Sequence, residues 1–184
     1  MDHEDHVNLL RPADLPRGGT WADFGAGSGA FTLALSELVG LKAEIYAIDK
    51  DRAGFTKLEQ SHRARFGTSQ NIHPVRADFT GTLHLPPLDG IVMANSLHFF
   101  KQKEKVLRHV RSFLKMNGTL LVVEYNVDSG NLWVPYPLSF ETYGKLARRA
   151  GFSEPRLLGK APSRFLREFY SAVTYRVDLQ VPEV

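Results

Sequence analysis

The chain has 184 residues, 43% hydrophobic and 23% charged, which is the usage of a folded globular domain rather than of a disordered chain. It contains no cysteine, which excludes disulfides, thiolate nucleophiles, cysteine-ligated zinc and iron–sulfur clusters. The net charge of +3 is unevenly spread: residues 1–92 carry 9 basic and 12 acidic side chains, residues 93–184 carry 14 and 8, so the second half suits either an anionic partner or a solvated cationic surface.

The N-terminal run MDHEDHVNLL is acidic and polar where a secretory signal is basic and then apolar, and no apolar stretch reaches the ~20 residues of a membrane span. The expectation is a cytoplasmic protein of one domain, with residues 1–19 as a short lid or tail carrying His3 and His6. Thr20–Phe24 reads as a buried strand that ends in the cluster Gly25-Ala26-Gly27-Ser28-Gly29. Apolar residues at 31, 34, 35 and 38 then mark a helix over Ala30–Val39. Ala43–Ile48 is the next strand, and Asp51 caps a helix to Phe66. Residues 72–76 form a third strand that Pro74 confines to a sheet edge. Gly90–Ala94 is a buried strand, followed by a helix Gln102–Lys115 that Gly118 terminates. Thr119–Glu124 is a further strand, Ser139 caps a helix to Ala150, and residues 155–159 and 168–177 supply two last strands. Strands alternating with helices define an α/β, doubly wound, mostly parallel sheet.

In such sheets ligands lie beyond the carboxyl ends of the strands, where the strand order reverses. The first strand-to-helix turn, Asp23-Phe24-Gly25-Ala26-Gly27-Ser28-Gly29-Ala30, offers close backbone approach and a helix N-terminus. Gly25, Gly27 and Ala30 satisfy G-x-G-x-x-G/A, with Asp49 about 20 residues on, as dinucleotide sites do. Asp23 argues against a pyrophosphate, because its carboxylate would face like charge. It suits S-adenosylmethionine, which carries an ammonium and no phosphate.

Trp21–Leu35 resembles the first motif of class I S-adenosylmethionine-dependent methyltransferases. Ile48-Asp49-Lys50, Arg76-Ala77-Asp78-Phe79, Leu85–Val92 leading into Asn95-Ser96-Leu97-His98-Phe99, and Leu114–Leu120 follow in register. Together they resemble the methyltransferase domain 11 group, which includes the ubiquinone/menaquinone-biosynthesis enzymes. The resemblance implies a sheet in the order 3-2-1-4-5-7-6 with an antiparallel final strand, a cofactor-binding core over 20–125 and a substrate side over 126–184. It implies S-adenosyl-L-methionine as cofactor and S-adenosyl-L-homocysteine as product. Asp23, Gly25, Ala26 and Gly27 would hold the methionine end, and Gly29 would permit close packing where the helix starts. Asp49 would accept the two ribose hydroxyls, Asp78 the adenine amino group, and Phe79 and Asn95 would complete the pocket. Lys50 stands where the family usually has an apolar residue on adenine, and Met116-Asn117-Gly118 replaces its usual Pro-Gly-Gly turn.

The acceptor must be oriented and water excluded, and a base is needed only where the acceptor loses a proton. His98 and Glu124 are the candidates for that role, and each could instead be structural. Asn131–Tyr143 concentrates aromatics after the fifth strand; with Phe99, Trp133 and Tyr136 are the candidates for contacting a small, partly aromatic or apolar acceptor. The run Lys101, Lys103, Lys105, Arg108, Arg111 and Lys115 is read as the solvated outside of a helix. Its charge keeps a nucleic-acid methyltransferase as an alternative, although no Asn/Asp-Pro-Pro-Tyr/Phe follows the fourth strand. A non-catalytic cofactor-binding protein is the other alternative. Neither a metal site nor an oligomeric state is legible.

Overall fold

In a computed structural model, which describes residues 1–163 and 165–178, apolar alternation sorts the core into two layers around one sheet. The strands are β1 (Thr20–Phe24), β2 (Glu44–Asp49), β3 (Ile72–Arg76), β4 (Leu88–Ala94), β5 (Leu114–Tyr125), β6 (Arg156–Pro162) and β7 (Glu168–Tyr175). They form a seven-stranded sheet in the order β3-β2-β1-β4-β5-β7-β6. The first five strands are parallel, and β7 runs antiparallel to both β5 and β6. This is the predicted class and order. Pro74 sits on β3, the edge strand, where a missing N–H leaves no ladder bond unmade.

The helices are α1 (His3–Leu10), α2 (Ala30–Val39), α3 (Phe55–Phe66), α4 (Lys103–Phe113) and α5 (Phe140–Arg149). Trp21, Ile45, Val92 and Leu121 point to the layer of α1 and α2, whereas Ala22, Ile91, Val122 and Leu120 join α4 and α5 on the opposite face. Burial on both faces explains why β4 and β5 read as continuous apolar runs. Ser139 caps α5 through the Thr142 amide, as predicted. Asp51 likewise accepts from Ala53 N–H, opening a 3-10 turn before α3.

Three expectations need correction. The first nineteen residues are not a lid or tail: Asp2 and Asp5 form a reciprocal capping box, and Val7, Leu9 and Leu10 bury α1 in the core. His3 pairs with Glu37 at 2.8 Å and His6 packs edge-on against Phe31, so neither caps a cleft. Next, α4 ends at Phe113, and β5 begins four residues before Gly118. Leu114 is already paired with Leu88, and Lys115 is drawn to Asp89 at 2.8 Å, so tertiary contacts peel the chain off the helix early. Finally, the basic run is solvated at Lys101, Lys105, Arg108 and Lys115, as expected, but not at Lys103 and Arg111. Lys103 is 8% exposed, with Nζ donating to Phe100 O at 2.9 Å and lying 5.6 Å from the Tyr136 ring centre. Burial pulls its ammonium pKa below the usual lysine value while Glu124 and Asp128 oppose that shift. Arg111 is spent on the Gly151 and Val177 carbonyls.

Candidate active site

The carboxyl ends of β1 to β4 enclose a cavity of 260 Å³. From β1 comes Gly25, whose N–H and that of Ala26 both donate to Ile48 O, fixing the loop against β2. Gly25 holds φ +90°, and a Cβ there would meet Ser96 Cβ at 2.6 Å. Gly27 differs: at φ +52° its missing side chain leaves open space. Gly29, the N-cap of α2, does not line the cavity, because the chain turns down there onto Leu58 of α3 with room for no Cβ. Its role is the close packing the sequence suggests.

From β2 come Asp49 and Lys50. Asp49 Oδ2 accepts Gly27 N–H at 2.8 Å and Oδ1 accepts Asp51 N–H at 2.9 Å, so the carboxylate is fixed at the cavity lip. Each oxygen keeps a free lone pair. From β3 come Ala77, Asp78 and Phe79. Thr80 donates both its N–H and its hydroxyl to Asp78 Oδ1 and thereby lowers the Asp78 pKa. The Phe79 ring stacks on Phe24, with centroids 5.4 Å apart. Asn95 and Ser96 come from β4, and Asn95 adopts φ +53°. Asn95 Oδ1 and Ser96 Oγ are buried against the cavity without a hydrogen-bond partner. Phe99 and Phe100 close the mouth.

Asp23 lies below the loop, 1% exposed, accepting from Thr32 Oγ1 at 2.6 Å. Burial, helped by the Asp49 charge and opposed by Thr32, raises its pKa to about 7. Glu124 is more enclosed still, at 0%. Its Oε1 accepts Leu97 and His98 N–H at 2.8 and 3.1 Å, and its Oε2 lies 2.9 Å from His98 Nδ1. Glu124 therefore has no path to a substrate; it acts on the turn Leu97–Phe99, and on His98 within it. The proton this bond needs on Nδ1 leaves Nε2 of a neutral His98 as an acceptor. Tyr136 N–H donates to His98 O at 3.0 Å, which ties the aromatic segment to the same turn.

A neighbouring cavity of 550 Å³ shares Phe99 and Phe100 with the first and adds Tyr136, Lys105 and His109. Trp133 lines neither cavity and is largely exposed, while Tyr143 is fully buried in the core. The sequence reading missed Ala77, Ser96 and Phe100 as lining residues. Their only signal is their place, within three residues of a strand end or of a residue already chosen. It also missed Gly54, where a Cβ would lie 2.0 Å from Gly27 O; the glycine lets α3 back the loop.

Residues 22–120 match the family model described as a methyltransferase domain. The chain belongs to that family, with the class I S-adenosylmethionine-dependent methyltransferase fold. It is 31% identical over 130 residues to the ubiquinone/menaquinone biosynthesis C-methyltransferase UbiE of Azotobacter vinelandii, covering 67% of this chain and 51% of that protein. It is 30% identical over 123 residues to a hybrid PKS-NRPS synthetase of a Fusarium species, covering 63% of this chain and 3% of that protein. The chain thus spans at most about half the length of these curated relatives. Among solved structures, YcgJ of Bacillus subtilis superposes with TM-score 0.76 at 14% identity, covering 96% of this chain and 100% of that one. The 1,6-didemethyltoxoflavin-N1-methyltransferase of Burkholderia thailandensis does so with TM-score 0.73 at 17%, covering 96% and 79%. Those two likenesses are of fold.

Proposed function

We propose that the chain transfers the methyl group of S-adenosylmethionine to a small, partly aromatic or apolar acceptor. The observation that carries the reading is the cavity itself, in which a lip carboxylate, the Gly25 backbone and two residues with orphaned polar atoms, Asn95 and Ser96, come together, with Gly27 beside it hydrogen-bonded to Asp49. Buried polar groups without partners cost stability, and a ligand rich in hydroxyl, ammonium and amino donors would satisfy them. The residues fit the cofactor: Asp49 for the ribose diol, Asp78 and Phe79 for adenine, and the Gly25–Gly27 backbone for the methionine end. Lys50 would lay its stem along the ring with its amine in water. When bound, S-adenosylmethionine supplies a methyl group already activated on a sulfonium, so the protein's task is orientation and exclusion of water. Phe99, Phe100 and Tyr136 offer an apolar wall for the acceptor. His98 is buried and lines neither cavity; paired with Glu124, it would position the turn that carries Phe99 and Phe100 rather than take a proton from the acceptor. Small acceptors are also what the relatives' names describe, a quinone-pathway C-methylation and a toxoflavin-precursor N-methylation.

S-adenosylhomocysteine tests the reading directly. At 100 times its Kd it should stabilise the fold by about 2.7 kcal/mol, a rise of about 5–10 °C in melting temperature for a chain of this size. NAD should give none. Asp49→Asn should weaken S-adenosylhomocysteine at least tenfold in calorimetry, since a hydrogen bond to a charged acceptor is worth about 1.5–3 kcal/mol. No protection of the wild type at millimolar ligand would overturn the proposal.

A further inference from the structure

Met1, Leu41, Met116, Leu157 and Tyr175 are exposed apolar side chains that stand outside any cavity mouth. The four most exposed large ones among the described residues are Leu132 at 88%, Trp133 at 73%, Phe165 at 65% and Phe99 at 58%, and Tyr136, at 43%, joins them. The latter five sit at one edge of the sheet, the carboxyl edge that also holds the cavity. Phe99 follows β4, and the 131–136 segment follows β5. Phe165 lies in the turn between β6 and β7, which reaches the same edge because Tyr125 pairs with Phe169 and Pro162 with Glu168. The strands β4, β5, β7 and β6 are neighbours, so the five side chains span about three strand spacings, roughly 14 Å.

Both tips are built to project. Asn131 Oδ1 accepts the N–H groups of Trp133 and Val134, each at 2.9 Å, and Val134 is buried, so Leu132 and Trp133 are thrust outward. Ser163 Oγ accepts Phe165 N–H at 3.1 Å in the other turn. Lys101, Lys105 and Arg167 flank these aromatics with no ion pair among the described residues. Beside these aromatics Glu168 pairs with Lys160 at 2.7 Å, and Asp128 accepts from the Ser139 amide and hydroxyl at 2.9 Å; Asp49 and Asp78 lie toward the opposite, β3 end of the same edge.

We propose that this edge docks on an anionic lipid surface, with Leu132, Trp133 and Phe165 entering the interface and Lys101, Lys105 and Arg167 facing the head groups. Aromatic tips beside lysines suit the bilayer boundary, where amphipathic rings and cations are each favoured. No helix among the described residues is long and apolar enough to cross a membrane, so the contact would be peripheral. If the methyl-transfer reading holds, an apolar acceptor dissolved in lipid would then meet the mouth of the cleft.

The chain supplies its own reporter, because Trp21 is fully buried and Trp133 is the other of its two tryptophans. Vesicles of phosphatidylcholine with and without phosphatidylglycerol should be titrated into the full chain, following tryptophan emission and co-sedimentation. The expected result is a blue shift and pelleting with anionic vesicles. Leu132→Ser with Phe165→Ser should weaken partition at least about tenfold, and Lys101→Glu with Lys105→Glu should do the same in a salt-dependent way. All variants should keep the wild-type melting temperature and S-adenosylhomocysteine response. No pelleting on anionic vesicles would overturn the proposal, as would pelleting insensitive to both double variants. A blue shift that grows with protein concentration in the absence of lipid would assign the edge to protein contact and also overturn it. Loss of S-adenosylhomocysteine protection in the wild type bears on the methyl-transfer reading alone.

Discussion

Removing the Glu124 carboxylate tests whether the turn after β4 is held from beneath. Glu124→Ala strips the acceptor from three donors, the N–H groups of Leu97 and His98 and the Nδ1 of His98, at a site with no exposure. An unpaired buried donor costs about 1–3 kcal/mol. Three of them, at the low end because the emptied site admits water, amount to about 3 kcal/mol or more. A chain of this length loses about 2–4 °C per kcal/mol, so the melting temperature should fall by at least about 6 °C. Glu124→Gln keeps an oxygen for the two amides but turns an N–H2 toward His98 Nδ1, driving the imidazole to its other tautomer. It should cost about 1–3 kcal/mol. Because Glu124 does not line the cofactor cavity, the folded Gln variant should bind S-adenosylhomocysteine within a few-fold of wild type. Thermal melts by circular dichroism at neutral pH, with calorimetry for the ligand, measure both effects. Glu124→Ala melting within 1 °C of wild type would refute the argument, since the turn would then be held by something other than the buried carboxylate.

The glycines should separate by mechanism. Gly27→Ala should lose ligand protection with only a modest fall in melting temperature from its φ of +52°, because its side chain meets nothing in the fold, whereas Gly29→Val and Gly54→Ala should lower the melting temperature much further, against Leu58 and Gly27 O. Asp23 sets a pH dependence: its native pKa near 7 exceeds its ordinary 3.8, so the native state holds a proton that the unfolded chain releases. Its contribution to stability is full below pH 3.8 and lost as pH rises through about 7. Asp23→Asn should therefore flatten the stability profile between these limits, and an unchanged slope in pH-resolved urea titrations would count against a buried carboxylate. Lys103→Glu should destabilise the fold, setting a carboxylate beside Phe100 O, Glu124 and Asp128, while Lys105→Glu should melt like wild type.

The seven strands and the glycine turn were legible in the sequence because each rests on local chemistry, whereas the sheet order came from the resemblance to class I methyltransferases. Apolar alternation, Pro74 at an edge, Ser139 at a cap and glycines at positive φ act within a few residues of themselves. The positions of Asp49, Asp78 and Asn95 beside one cavity follow from the same logic, since parallel strands deliver their carboxyl ends to one edge.

What the tertiary structure alone decided concerns partners distant in sequence. Helical periodicity carried α4 past Phe113, but Asp89, 26 residues before Lys115, captures that lysine and the strand begins early. A lysine between Gln102 and Glu104 reads as solvated until Phe100 O and the Tyr136 ring enclose it. Glu124 reads as a cleft residue until the turn Leu97–Phe99 closes over it. An acidic N-terminus reads as a tail until Val7, Leu9 and Leu10 find the face of α2. Sequence patterns report what a residue prefers near itself; whether a charge ends in water or in the core depends on which long-range surface arrives to cover it.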